Sequence, residues 1–203
     1  MRVLVACEYS GRVREAFRAK GHHAFSCDII PSSDNSHNHI QKDVLEVLDY
    51  GWDLMIAHPP CTYLSRAGAR WLYPKSGELD NDRYKKLLQG KEFFMSLLNA
   101  DIPKIAVENP TPFKIAELPK PSQIIQPYQF GDPYSKRTLL WLKGLEPLKP
   151  TNEVDVIAPW VQSNTSGFRR GQKHHAGIAR SSKERSLTFQ GIADAMAEQW
   201  GSL

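Results

Sequence analysis

What the chain lacks narrows it first. None of its 203 residues falls in a run approaching the roughly 18 apolar positions that a membrane-spanning helix needs, so no membrane is expected among its partners. The opening Met1-Arg2-Val3-Leu4-Val5-Ala6-Cys7-Glu8 breaks its apolar stretch too early for a secretory signal and reads as a first strand. The three cysteines, Cys7, Cys27 and Cys61, include no pair at zinc or redox spacing, which argues against a metal centre and fits reduced thiols in a cytoplasm. Internal repeats and low-complexity tracts are missing as well. That leaves one globular domain over 1–203, large enough to bury a core without disulfide staples.

What is present is an alternation of strands and helices. An apolar run over 2–7 is followed by Glu8-Tyr9-Ser10-Gly11 and a helical pattern from Arg12 to Lys20, with Val13, Ala16 and Phe17 on one face. A glycine-bearing turn between strand and helix either brings backbone N–H groups to a ligand or serves as a plain tight connection. A second strand, Ala24 to Cys27, ends at Asp28, the usual place for a carboxylate that accepts from ribose hydroxyls, although a turn cap also suits a single aspartate. The polar stretch 31–39 reads as a surface loop, and a short element at His39-Ile40 leads to Asp43, which fits the cap of a short helix. Trp52 to Ala57 and Ile102 to Val107 are further strands with a helix from Asp82 to Asn99 between them. Leu139 to Leu142 is another candidate strand, and Phe189 to Trp200 a closing helix. The alternation predicts an α/β fold with a mostly parallel central sheet and helices on both faces.

Two strand ends carry the chemistry. Ala57 empties into His58-Pro59-Pro60-Cys61-Thr62-Tyr63-Leu64-Ser65, stiff backbone that brings one thiol to the carboxyl edge of the sheet, where open α/β sheets bind ligands. Val107 delivers Glu108-Asn109-Pro110 to the same edge, so a nucleophile and an acid come within reach of one small ring. Taken singly, Cys61 is as well explained as core filler, Glu108 as a cap and Arg137 as the partner of a neighbouring carboxylate. The formal charge of +4 permits an anionic partner, and Arg169, Arg170, Lys173, Arg180, Lys183 and Arg185, with His174 and His175 among them, face a single acid, Glu184. Such a run neutralises several phosphates or stands as a solvated surface loop.

Taken together, three segments resemble the S-adenosylmethionine-dependent DNA cytosine-C5 methyltransferases in order and spacing. Pro60-Cys61-Thr62-Tyr63-Leu64-Ser65 matches the family's catalytic loop, Glu108-Asn109-Pro110 its Glu-Asn-Val segment, and Phe130-Gly131-Asp132-Pro133-Tyr134-Ser135-Lys136-Arg137 part of its basic signature. Gln190 to Met196 is similar to its closing helix. The resemblance runs from residue 3 to about 142 and resumes at Gln190. It implies a Rossmann-like class I methyltransferase fold, S-adenosyl-L-methionine as cofactor and DNA, single- or double-stranded, as substrate. By the same resemblance Cys61 adds to C6 of cytosine, Glu108 holds N3 and the exocyclic amine, and Arg137 contacts the base carbonyl. Cys7, Ser10, Gly11, Asp28, Ile29, Asp43 and Pro59 would surround the cofactor, with Ser10 and Gly11 near its methionine part, Asp28 on the ribose and Asp43 near the adenine. Ser65, Arg169, Arg170, Lys173 and Arg180 would touch nucleic acid.

The chain departs from the family at Thr62, where glutamine is usual, at Pro110 for valine, and at Leu139 for the second arginine of the basic signature. Residues 143–187 stand where the family inserts a target-recognition domain, and this short basic insertion suits phosphate gripping better than base reading. A protein partner would then supply specificity. The expected particle is a monomer or small homo-oligomer in a cytoplasm, including that of a host if a virus or mobile element protects its DNA this way. Two alternatives stand beside this reading: a catalytically inactive DNA-binding or inhibitory protein of the same fold, and a methyltransferase acting on a free cytidine nucleotide. A zinc cytosine deaminase is disfavoured, because the second cysteine it needs is replaced by Leu64.

Overall fold

In the computed structural model, which describes residues 1–74, 77–160 and 181–202, the strands are β1 (Arg2–Ala6), β2 (His23–Asp28), β3 (His39–Gln41), β4 (Leu54–Ala57), β5 (Lys104–Asn109), β6 (Gln123–Ile125), β7 (Tyr134–Ser135), β8 (Thr138–Lys143) and β9 (Ala158–Pro159). The helices are α1 (Arg12–Ala19), α2 (Asn81–Leu98), α3 (Ser182–Ser186) and α4 (Gln190–Gly201). Seven strands form one sheet in the order β3-β2-β1-β4-β5-β8-β6. The pairings from β3 through β5 are parallel, and β8 runs antiparallel to both of its neighbours. β7 and β9 pair separately.

Alternation along each strand decides which layer a side chain joins. Val3, Val5, Leu54, Ile56, Ala106 and Leu140 pack with Val13 and Phe17 of α1 and Ile192, Met196 and Trp200 of α4. Leu4, Ala6, Met55, Ala57, Ile105 and Val107 face the other way, onto Leu87, Phe94 and Leu97 of α2. A sheet covered on both faces requires the nearly continuous apolar runs seen in β1 and β4. This is a Rossmann-like α/β architecture, a mostly parallel sheet with helices on both faces. No helix among the described residues is long and apolar enough to cross a membrane.

Three details differ from the sequence expectation. β5 begins at Lys104 rather than Ile102, after Pro103, which has no N–H to give a ladder. It also continues through Glu108 and Asn109, which pair with Leu140 and Leu139 of β8. β6 was not expected, since only three residues form it, just past Pro119 and Pro121. Leu139 is 3% exposed among the α2-side core residues, so an arginine there would be a buried charge, and its departure from the family signature follows from core packing.

α4 docks unusually close to the turn before β7. The N–H of Gly191 donates to Asp132 Oδ2 at 3.2 Å, and a Cβ on Gly191 would overlap the Phe130 carbonyl oxygen. Glycine to alanine in a helix ordinarily stabilises by about 1 kcal/mol. Here the sign should reverse: Gly191→Ala is expected to lower stability by about 1–3 kcal/mol, as overpacking does, read as a lower urea midpoint. An unchanged or raised midpoint would show that α4 does not sit this close.

Candidate active site

The site begins where three neighbouring strands reach the carboxyl edge of the sheet in register. Ala6 lies opposite Ala57 and Ala57 opposite Val107, so the next residue of each chain segment, Cys7, His58 and Glu108, falls in one row at the carboxyl edge. The N–H of His58 donates to the Ala6 carbonyl at 2.9 Å, extending the ladder one step past β4. His58 Nδ1 then lies 3.1 Å from Glu108 Oε2, with the two side chains 9% and 16% exposed. Burial alone would raise the Glu108 carboxyl, but the His58 hydrogen bond and the charge of Lys136 outweigh it and hold the group below the usual carboxylate range.

Pro59 and Pro60 carry the chain to Cys61, which sits half-buried where the N–H groups of Leu64 and Ser65 turn back onto its carbonyl at 3.2 and 2.9 Å. Burial and the Glu108 charge push the Cys61 thiol up, while Lys136 and Arg185 pull it down. The cation of the basic signature that reaches this centre is therefore Lys136. Its Nζ donates to the Arg185 carbonyl at 3.0 Å and lies 5.9 Å from the Phe189 ring centre. Arg137 is exposed, and the structure does not bring it beside Cys61 and Glu108 as it does Lys136.

Beside this row opens a cleft of about 450 Å³ whose walls include Cys7, Glu8, Ser10, Asp28, Ile29 and Asp43. Five of these six were expected there. Gly11 and Pro59 are buried behind the wall, where Pro60 takes part instead. Gly11 has φ +74°, and a Cβ on it would overlap the Arg14 guanidinium. Asp28 Oδ1 also accepts from the Ile30 N–H at 3.2 Å and Asp43 Oδ1 from the Leu45 N–H at 3.0 Å, so each aspartate caps a turn while lining the cleft.

Cys7 turns the chain with φ 58°, a left-handed conformation that costs a non-glycine residue about 1–3 kcal/mol and is often found at functional sites. Burial and the charge of Asp28 push its thiol far up, so Cys7 stays protonated. The turn carries Glu8, 4% exposed, under the start of α1, where its carboxylate accepts from the Val13 N–H at 2.8 Å and the Arg14 N–H at 3.3 Å. The positive end of this helix is thus already occupied by the chain's own acid. With Glu8, Asp28 and Asp43 against Lys42 on its walls, the cleft suits a cationic ligand better than a phosphate. Arg14 is fully buried and ties α1 to β2 and the 31–36 loop through Ser26 Oγ at 2.7 Å and Asp34.

The expected nucleic-acid residues divide. Ser65 is 7% exposed and bridges to Pro112, tying the Cys61 loop to the segment after β5. Arg169, Arg170, Lys173 and Arg180 lie outside the described residues. The end of the insertion returns to the site: Ser186, Leu187 and Thr188 line the cleft, and Arg12 Nη1 donates to the Thr188 carbonyl at 2.9 Å. Sequence reasoning missed Glu8, His58, Lys136 and this returning segment. Glu8 had a legible signal, an acid just ahead of a helix start, whereas His58 and Lys136 become informative only once β4, β5 and β8 are neighbours.

No known family and no curated protein matches the chain by sequence. Among solved structures it is similar to a candidate DNA modification methyltransferase encoded within an E. coli prophage, at 14% identity and TM-score 0.49 over 76% of this chain and 52% of that one. It is also similar to the Entamoeba histolytica methyltransferase EhMeth, at 15% identity and TM-score 0.46 over 81% and 61%. A mutant of Spodoptera frugiperda DNMT2 aligns at 16% identity and TM-score 0.38 over 91% and 61%. The alignments thus span little more than half the length of these structures.

The charges around Cys61 set its reactivity with opposite signs. Lys136→Met should raise the thiol further and slow its alkylation by iodoacetamide at pH near 8 by about three- to tenfold, and Glu108→Gln should speed it by a similar factor. Mass analysis of the Cys61 peptide against time would check both; shifts in the same direction for both variants would contradict this electrostatic arrangement.

Proposed function

We propose that the chain transfers a methyl group from S-adenosyl-L-methionine to C5 of cytosine in DNA through a covalent adduct of Cys61. The observation that carries this reading is the meeting of Cys61, Glu108 and Lys136 at neighbouring strand ends beside a cleft of about 450 Å³. That volume is in the range of small-molecule sites, about 300–1,000 Å³. The acid-walled cleft fits a sulfonium and an ammonium group, with Asp28 available to ribose hydroxyls. When bound, S-adenosylmethionine supplies an electrophilic methyl group.

C5 of cytosine is too weak a nucleophile to take that methyl unaided. Addition of the Cys61 thiolate to C6 makes C5 enamine-like, so one hard step becomes two easier ones. Lys136 and Arg185 lower the cost of exposing the thiolate in a half-buried place, against burial and Glu108. Glu108 faces N3 and the exocyclic amine, where a proton or hydrogen bond offsets charge as the adduct forms. Lys136 takes the place beside the reacting ring that the resemblance alone assigned to Arg137. The basic insertion would grip the DNA backbone, leaving little reading of base edges.

Incubation with S-adenosylmethionine and DNA carrying 5-fluorocytosine, single- and double-stranded, should yield a protein–oligonucleotide conjugate by intact mass with wild type and none with C61A. Absence of conjugate with either DNA form and with 5-fluoro-dCMP would overturn the proposal in favour of a catalytically inactive protein of this fold. Asp28→Ala should weaken cofactor binding by about 10- to 100-fold in calorimetry, the worth of a hydrogen bond to a charged group.

A further inference from the structure

His58 is a buried polar residue at the row of strand ends that the proposed chemistry has not used. It lies on the walls of both the cofactor cleft and a smaller cavity shared with Glu108, Lys136, Thr138 and Phe189, so it separates the two compartments. Its Nδ1 is committed to Glu108 at 3.1 Å. Its Nε2 is buried with no hydrogen-bond partner among the described residues. A ring placed this way has one nitrogen on the acid and one lone pair or N–H to spare, which is the arrangement of a proton carrier rather than a plain structural strut.

We propose that His58 and Glu108 act as a pair sharing one proton, with His58 recharging Glu108 while Glu108 serves the cytosine ring; this rests on the reading of the site given above. Glu108, held ionised by its surroundings, has no proton of its own to give to N3. The pair supplies it. As the Cys61 Sγ–C6 bond forms, the C5=C6 electron pair moves to C4=C5 and the C4=N3 pair moves onto N3. Nδ1 of the His58 imidazolium gives its proton to Glu108, which passes it to N3, leaving Glu108 ionised and His58 a neutral imidazole protonated at Nε2. After methyl transfer a water molecule takes the C5 proton, the C5–H electron pair re-forms C5=C6 as the thiolate is expelled, and the N3 proton returns through Glu108 to His58. His58 acts through Glu108 and does not touch the reacting atoms.

Among the described residues, the charged and titratable groups on the walls His58 shares are Glu108 from β5, Lys136 ahead of β8, Cys7, Glu8 and Tyr9 after β1, and Cys27, Asp28, Lys42 and Asp43 farther along the same cleft. Of these, Glu108 is in hydrogen-bond contact with the ring.

The test is the rate of 5-fluorocytosine adduct formation against pH for wild type, H58N and H58A, with thermal unfolding as the control for folding. Asparagine keeps a donor near the Nδ1 position but carries no titrating proton. H58N is expected to lose about 100-fold near pH 6, on the scale of general acid–base catalysis, and progressively less as the pH rises and the wild-type pair loses the proton it would pass on. H58N matching wild type at every pH, or falling by one constant factor throughout, would overturn the proton-sharing role and leave only a structural one. In the free protein, ¹⁵N spectra of the His58 ring should show Nδ1 protonated across the titration with Nε2 the nitrogen that titrates; a proton found on Nε2 instead, with Nδ1 bare, sinks the idea whatever the substrate. Wild type that traps no cytosine overturns the reading of the site itself, and this step with it. Wild type that traps it while H58N behaves identically overturns this step alone.

Discussion

The site depends on one backbone constraint, the shared register of β1, β4 and β5 at the carboxyl edge of the sheet. Because parallel ladders hold Ala6, Ala57 and Val107 side by side, the residues that follow each are brought together without any side chain having to find another. The His58–Glu108 hydrogen bond is a consequence of that register, since the two residues directly follow paired positions of β4 and β5. A one-residue slip of β5 against β4 would send Glu108 toward the α2 layer and put Asn109 in its place. The apolar alternation on both faces of the sheet makes such a slip costly, so the core on either side enforces the geometry of the edge.

The edge is divided by charge. On the side of the larger cleft, Glu8 caps α1 from within and joins Asp28 and Asp43, so the compartment favours a cation. On the Cys61 side, Lys136 and Arg185 partly offset the burial and the Glu108 charge that push the thiol up. Lys136 reaches this position from the turn that α4 clamps: Gly191 lies against the Phe130 carbonyl and Asp132, and Phe189 stacks with Tyr134 and Trp160 at ring distances of 6.1 and 4.6 Å. Trp160 is thereby part of the clamp. The end of the insertion thus helps shape the cleft through Ser186 to Thr188.

Much of the fold was legible because its signals are local. Apolar runs at β1 and β4, the helical face of Val13, Ala16 and Phe17, and the proline-bounded loop before Cys61 each announce an element within a few residues. β6 was not legible, since three residues paired with a distant strand leave no periodicity to read. In the candidate site, Asp28, Asp43, Cys61 and Glu108 could be named because each follows a recognisable strand or begins a recognisable turn. Arg137 was favoured over Lys136 on motif alone, and adjacent residues ahead of a strand differ in which way they point, a matter decided by β8 pairing.

The sequence by itself determined the alternation of strands and helices, the two-sided burial of the sheet and the placing of one thiol and one acid at strand ends, because hydrophobic period and proline position act over short stretches of chain. Only the tertiary structure decided that His58 would bond Glu108, and that Lys136 rather than Arg137 would stand beside Cys61. Those outcomes depend on which strands become neighbours and in what register. That is set by the packing of the whole sheet between α1, α4 and α2, over separations of fifty residues and more.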